Sequence, residues 1–308
     1  MILGEPIILG GGGGIACVVI ITTDPSAVVT CSLGNTSISK TANADGKAVF
    51  ELKKAGVWTV TASLNGETVS KEIDTSFALQ TELEFVKADP VLENNTWETI
   101  SKVAKKGKAS EYWNVGDSKT FLLNGKTYEA QIIGFDHVDV TDPVAYGREK
   151  AGITFCIKDV TNDTRKFNSS STPNNSWKDS ELRSTLQYFI DYYFEENLAN
   201  VIVWVNKKYE PDYSTVETCS DRLFIISADE LYGWKAGGAN NLLGTQYAYY
   251  AAGNSKTKYK VGTTTAIPYW TRSRSGQSNS DFVYIDRDDG YNSNSSTGSM
   301  YHAEVFCV

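Results

Sequence analysis

Between residues 15 and about 86, apolar and polar positions alternate in short runs broken by turn residues. That is the period-two pattern of half-buried strands. The predicted strands are 16–22, 27–33, 47–52, 56–64, 67–73 and 79–85. Asp24-Pro25, Gly34-Asn35, Asp45-Gly46 and Asn65-Gly66 punctuate them, and Asn65-Gly66 between two alternating runs predicts a type I′ hairpin. Residues 89–95 read as a linker, after which the period lengthens. Trp97, Ile100, Val103 and Ala104 lie on one helical face, with Asn95 as the predicted cap, Glu98 completing a capping box and Gly107 as the stop. Strands at 118–123 and 128–135, joined by Asn124-Gly125, and at 152–158 come next.

A longer helix is predicted over 177–200, with Ser176 as cap and Asp179 three residues inside. Leu182, Leu186, Phe189, Tyr193 and Leu198 form its apolar stripe. Ser227 and Glu230 predict a short capped helix ending at Gly233. Beyond it the chain is rich in Gly, Asn, Ser and Tyr, which predicts loops pinned on short strands rather than a regular sheet. The fold class is therefore α+β. Strands at the spacing seen in 15–88 predict an immunoglobulin-like β-sandwich with Trp58 in its core. The remaining divisions are a glycine-rich attachment segment at 1–14, the linker at 89–95 and a second domain at 96–308 with few helices and much loop.

Composition narrows the function classes. A chain of 308 residues can hold two domains, each with its own core. The net charge of −8 argues against a nucleic-acid partner, which calls for a basic stripe. The one basic cluster, at 102–108, is most simply the solvated face of the first helix. The cysteines (Cys17, Cys31, Cys156, Cys219, Cys307) are scattered and odd in number, without metal spacing. Folding in a reducing compartment fits them, with Cys31 and Cys156 packed as small hydrophobes. The N-terminal run has no positive region, carries Glu5 and Pro6, and is split by the glycines at 10–14. It reads as neither a signal peptide nor a membrane span.

Candidate chemistry is sparse. The Asp286-Arg287-Asp288-Asp289-Gly290 run looks at first like a calcium loop. Its glycine comes one place early, however, and Thr297 stands where a closing Glu is needed, so a hairpin turn is the simpler reading. Asp136, His137 and Asp139 could serve acid–base or metal chemistry, but with only two histidines in the chain a hydrogen-bonding corner is simpler. The glycine run has no Lys-Ser/Thr after it for phosphate. No Ser–His–Asp set can be assembled. Neither an enzyme activity nor a cofactor is expected.

The tract 268–308 carries the strongest functional signal. Short apolar anchors (Trp270, Phe282, Ile285, Phe306) hold a surface of Ser, Asn, Asp, Tyr, Arg and Gly, the chemistry of an antibody-like contact face. The candidate ligand-binding residues are Tyr269, Arg272, Arg274, Asn279, Asp281, Tyr284, Asp286, Arg287, Asp288, Tyr291, Asn292, Asn294, Tyr301 and His302, with Arg and aromatic positions carrying most of the energy.

Several stretches resemble a known family. They are NNTWETISKVAKKGKASEYWNVGDSKT at 94–120, IIGFDH at 132–137, AGITF at 151–155, WKDSELRSTL at 177–186, DRLFIISADELYG at 221–233 and YWTRS at 269–273. This series is similar to a domain of unknown function common in phage and surface proteins of clostridia-like bacteria. That domain is related to the C-type-lectin-like fold of formylglycine-generating enzymes and of the variable proteins of diversity-generating retroelements. The pieces DPSAVVTC, DGKAVF and AGVWTVTA resemble immunoglobulin-like repeats of virion proteins. The end of the chain, residues 301–308, departs from the family's usual closing stretch. Cys219 and Cys307 lie in contexts unlike the copper-binding pair of formylglycine-generating enzymes.

What the resemblance implies is a phage virion protein at a tail tip or fibre. Its lectin-like face would bind a bacterial surface receptor, protein or glycan, and its N-terminal region would contact other virion proteins. A homo-oligomer is expected, with a trimer suggested by virion symmetry. Retroelement diversification of residues 271–302 fits their composition, as does an ordinary polar loop region. The alternatives are a structural or decoration protein of the virion and a bacterial surface adhesin.

Overall fold

The structure, a computed structural model, describes residues 17–308 apart from 77–79, 84–86, 162, 172–175, 213, 237–240, 277 and 279. These residues are mostly short strands in several sheets, with few helices. They fall into two compact units divided between Lys87 and Ala88. Among them, no helix is long and apolar enough to cross a membrane.

The first unit sets two sheets around one core. Strands β1 (Cys17–Thr22), β4 (Lys47–Leu52) and β7 (Gln80–Glu82) form one sheet in the order β4-β1-β7, with β7 parallel to β1. Strands β2 (Val28–Leu33), β3 (Thr36–Thr41), β5 (Val57–Leu64) and β6 (Glu67–Asp74) form the other, in the order β3-β2-β5-β6. Alternate residues point inward, as the pleat requires. Val19, Ile21, Phe50 and Leu52 from one sheet meet Val29, Cys31, Trp58, Val60 and Ala62 from the other. Asn65 and Gly66 both have positive φ (53° and 86°), the backbone of the predicted I′ hairpin. Strand β3 was not foreseen. Its sequence, TSISKT, is almost wholly outward-facing and shows no alternation of apolar residues. The predicted strand at 79–85 is short, and part of it lies outside the described residues.

The second unit is built on a five-stranded sheet in the order β14-β21-β10-β9-β8. Its members are β8 (Ser118–Leu123), β9 (Lys126–Phe135), β10 (Ile153–Ile157), β14 (Leu223–Ile225) and β21 (Glu304–Cys307). Strand β10 is buried at every position and is apolar at all of them but Thr154. Helix α1 (Trp97–Lys105) brings Trp97 edge-on to Phe155 and Phe306, at ring distances of 5.4 and 6.1 Å. A four-residue helix α2 (Ala109–Tyr112) follows, and α3 (Pro143–Tyr146) lies between β9 and β10.

Two helix boundaries differ from expectation. Thr96, not Asn95, caps α1 by accepting from the Thr99 N–H at 3.1 Å. The Asn95 side chain is spent on the preceding turn, where it donates to the carbonyls of Asp89 and Val91. The helix predicted over 177–200 is two: α4 (Glu181–Tyr193), capped by Ser180, and α5 (Glu196–Ala199). The break comes at Phe194, whose extended backbone turns its ring into the core against Phe121 and Phe306. Tyr193, expected on the apolar stripe, is left 37% exposed.

The rest of the second unit consists of smaller pieces. Strands β12 (Val205–Tyr209) and β13 (Glu217–Asp221) pair, as do β11 (Arg165–Lys166) with β20 (Ser299–Met300) and β15 (Lys258–Tyr259) with β16 (Ala266–Ile267). Helices α6 (Ala228–Tyr232) and α7 (Ala248–Ala251) lie between β14 and β15. Strands β17 (Tyr269–Arg274), β18 (Asp281–Ile285) and β19 (Tyr291–Ser295) make an antiparallel sheet, with a register shift in the β17–β18 pairing between Trp270 and Arg274. Most residues after Gly233 nonetheless lie outside strands and helices, as the sequence predicts, and the strands that pin them are short. A strand spelled YNSNS has no apolar alternation by which to be recognised.

Candidate functional site

The β18–β19 hairpin and the end of α6 together bring three aromatic side chains to the surface. The capping box predicted for α6 is present: Ser227 accepts from the Glu230 N–H, and the Glu230 carboxylate accepts from the Ser227 N–H. The helix stops at Gly233, whose φ of 78° is accessible to glycine without a Cβ penalty. The chain then turns so that Trp234 stands beside Tyr232, their rings 5.9 Å apart. Tyr291, opening β19, completes the group at 5.5 Å from Tyr232 and 5.6 Å from Trp234. Trp234 is 50% exposed and Tyr291 40%.

Polar contacts fix this cluster in place. The Tyr232 hydroxyl donates to the Asp289 carbonyl at 2.6 Å, tying α6 to the hairpin turn. Asp289 Oδ1 accepts from the Ser255 hydroxyl (2.8 Å), the Lys256 N–H (2.7 Å), and the Thr257 hydroxyl and N–H. Partial burial works against its charge, but these donors hold its carboxyl below the ordinary value. Burial and the neighbouring carboxylate of Asp289 push the Tyr232 hydroxyl up. Lys256 Nζ lies 5.0 Å from the Tyr232 ring centroid, a cation–π contact. The 286–290 segment is a hairpin turn, closed by the Asp286 N–H on the Gly290 carbonyl at 2.8 Å.

The register of this sheet divides the predicted ligand residues. Directly opposed residues share a face, and successive residues alternate. Tyr284 opposes Asn292, and Phe282 opposes Asn294. Tyr291 opposes Ile285 on the other face, with Asp281 and Val283. Phe282 stacks on Phe167 at 3.6 Å, while Val283 packs against Ala228 and Ala236. The aromatic cluster and the Tyr284–Asn292 pair therefore lie on opposite sides of the sheet. Arg287 and Asp288 are exposed on the turn, and Asp286, Asn294 and Tyr301 are partly so. Asn279 lies outside the described residues.

Four expected contact residues are interior and cannot touch a ligand at the surface. Tyr269 is fully buried, with its hydroxyl on the Lys256 carbonyl at 2.7 Å. Arg272 makes a bidentate pair with Glu230 (2.6 and 2.8 Å) and donates to the carbonyls of Ile225 and Lys208. Arg274 is buried and reaches the Pro211 carbonyl at 3.4 Å. His302 Nδ1 sits 2.9 Å from Glu304 Oε1, both side chains fully buried, at ion-pair distance without hydrogen-bond alignment. Tyr232 and Trp234, in turn, were missed. Their signal is two aromatics flanking a helix-ending glycine.

The buried charges under this region form one group. Lys207 Nζ shares Glu230 with Arg272 at 2.7 Å. Burial alone would raise the Glu230 carboxyl, but the two cations hold it far below the ordinary range. Burial lowers the Lys207 ammonium. Asp229 also braces the segment, accepting from the N–H groups of Leu243 (2.9 Å) and Gly244 (2.6 Å).

The Asp136–Asp139 corner is held by separate partners. Asp136 pairs with Arg148 at 2.9 Å and Asp139 with Lys150 at 3.3 Å. His137 stacks on Tyr247 with ring centroids 4.0 Å apart, its Nε2 3.1 Å from the Thr245 carbonyl. Burial, with the Lys207 and Lys150 charges, lowers His137 below its ordinary value, although Glu230 pulls the other way. A base depressed in the folded state binds its proton more readily when unfolded. Stability from His137 is thus present above about pH 6.5 and lost as pH falls through the folded value. Urea melts from pH 7.5 to 5 should show this loss, and His137→Gln should flatten it; an unchanged slope would refute the assignment.

The cysteines are all free and buried. Burial raises the thiols of Cys31 and Cys307 to about 11 and that of Cys219 to about 12. Cys219 contacts Asp221 and the Lys207 carbonyl, whereas Cys307 contacts Thr154. These are separate settings for the two thiols.

Fold and site together define a β-rich, two-unit protein that presents an exposed aromatic cluster beside a polar turn. Residues 151–305 match the family model described as "Domain of unknown function (DUF6273)", just over half of the 308 residues, and the chain belongs to that family. Curated proteins offer no match. Among solved structures, a fimbrial protein from Bacteroides ovatus ATCC 8483 is similar at 8% identity and a TM-score of 0.24, over 94% of this chain and 70% of that one. A likeness at that level carries no argument about fold or function.

Proposed function

We propose that this is a binding protein of a phage virion, attaching a tail tip or fibre to a receptor on the bacterial surface. The observation that carries the binding part is the exposed Tyr232–Trp234–Tyr291 cluster. Large aromatics in contact with one another, half exposed and beside a polar rim, are characteristic of recognition hot spots. The virion setting is drawn from the resemblance of residues 94–273 to phage and surface domains. The second unit is then a C-type-lectin-like domain, whose β17–β18–β19 sheet holds the ligand face. The first is an immunoglobulin-like spacer, consistent with two sheets closed on Trp58. Several copies on one particle would turn modest contacts into firm attachment by avidity.

The test is direct. Purified chain, fluorescently labelled, should bind saturably to intact cells of a susceptible host and reduce phage adsorption in competition. Saturable binding to no host that the phage infects would overturn the proposal.

A further inference from the structure

On the side of β10 facing β15, a thiol and an amine are held together inside the protein. Cys156 is 1% exposed, one residue from the end of β10, and Lys258 is 6% exposed at the start of β15. Lys258 Nζ lies 3.3 Å from Cys156 Sγ. Its other hydrogen bond goes to the Ile157 carbonyl at 2.6 Å. Among the described residues no carboxylate lies within ion-pair distance of Lys258, an uncommon setting for a buried lysine. The backbone holds the pair in register. The Val160 N–H bonds the Tyr259 carbonyl at 2.9 Å, and the Val261 N–H bonds the Val160 carbonyl at 3.1 Å. The Tyr250 hydroxyl approaches the same sulfur from α7. Cys156 is thus the one thiol here with an amine in contact, among the described residues.

We propose that Cys156 and Lys258 are a modification site, at which dioxygen joins the sulfur to the nitrogen through a bridging oxygen atom. The S–H bond, one N–H bond and the O=O bond break. One oxygen atom forms the S–O and N–O bonds of the bridge, and the other leaves as water with the two hydrogens. Sulfur and nitrogen each give up two electrons, and dioxygen takes all four. Any additional proton on the ammonium passes to solvent. Burial suits this outcome. It keeps out larger thiols that would divert the sulfur into a mixed disulfide, while a small apolar oxidant can still penetrate. The amine at 3.3 Å is placed to capture the oxidised sulfur before it climbs the ladder to sulfinic acid. The bridge would close a loop of 102 residues and so constrain the unfolded chain, as a disulfide does. The site would thus lock the second unit once the protein leaves a reducing compartment. It does not depend on the proposed receptor binding.

Full-length protein, purified without oxygen and then held in air-saturated buffer, should gain the mass of one oxygen less two hydrogens. A non-reducing tryptic digest should show the peptides of Cys156 and Lys258 joined, with cleavage after Lys258 blocked. Dithiothreitol should reverse both changes. The thermal midpoint should rise on oxidation and fall back on reduction. Cys156→Ser and Lys258→Met should each abolish the joined peptide. Unmodified Cys156 and Lys258 after exposure, or oxygen added to sulfur with Lys258 still cleavable, would overturn the proposal from wild-type protein alone, whatever the variants do.

Discussion

Replacing Arg272 by methionine should destabilise the protein by about 3–5 kcal/mol, the cost of leaving a buried carboxylate without one partner of its pair. Against a domain stability of roughly 5–15 kcal/mol, that is enough to lower the urea midpoint sharply or to prevent folding. Glu230 would keep only one cation, Lys207, which already carries a desolvation cost of its own. The carbonyls of Ile225 and Lys208 would lose a charged donor as well. Combining Arg272→Met with Glu230→Gln and Lys207→Met should recover part of the loss, because no unpaired charge of this group then remains inside. A mutant cycle over the three positions therefore separates burial of an orphan charge from lost packing. Glu230 is held far below the usual carboxylate range, so this group's stabilisation is present above the unfolded value. It is lost only as pH falls through the folded one. Arg272→Met with a cost under about 1 kcal/mol, the ordinary range for a surface charge, would show that the pair is not structural.

That result bears on which parts of the fold were legible in the sequence. Arg272 reads as a surface contact residue because arginine is rarely interior unless paired. Its partner lies 42 residues away in the chain, on a helix the sequence does place. No local pattern links the two. The same limit hides the aromatic site. Tyr291 was legible within its own tract, but Tyr232 lies 57 residues before the turn to which it is bonded.

Elements that bury one face were readable, as in β4 and β5, where alternation and burial coincide. Elements whose side chains face solvent or one another were not, as in β3 and β19. The split between α4 and α5 failed for a different reason. Phe194 continues the apolar period of the helix, yet its ring goes into the core from an extended backbone. Periodicity reports that a residue is buried, not the conformation from which it is buried.

The surface cluster gives the largest expected effect on binding. Trp234→Ala and Tyr291→Ala should each weaken attachment to host cells by about 2–4 kcal/mol, or roughly thirtyfold or more. Their joint effect should fall short of the sum, since the rings support one another at 5.6 Å. Both side chains are about half exposed, so stability should change by no more than about 0.5–1 kcal/mol, which thermal melts can verify. Tyr232→Phe separates position from contact: it keeps the ring but removes the hydroxyl bond to the Asp289 carbonyl. A partial loss of binding is expected there, because the turn is then less firmly held. Tyr284→Ala is the internal control. It sits across from Asn292 on the opposite side of the sheet, and it should leave binding within about threefold, well under the 1.4 kcal/mol of a tenfold change. If Tyr284→Ala abolished adsorption while Trp234→Ala and Tyr291→Ala did not, the ligand face would be the Tyr284–Asn292 side. Residues of the sequence-derived set on that side would then replace the aromatic cluster as the contact surface.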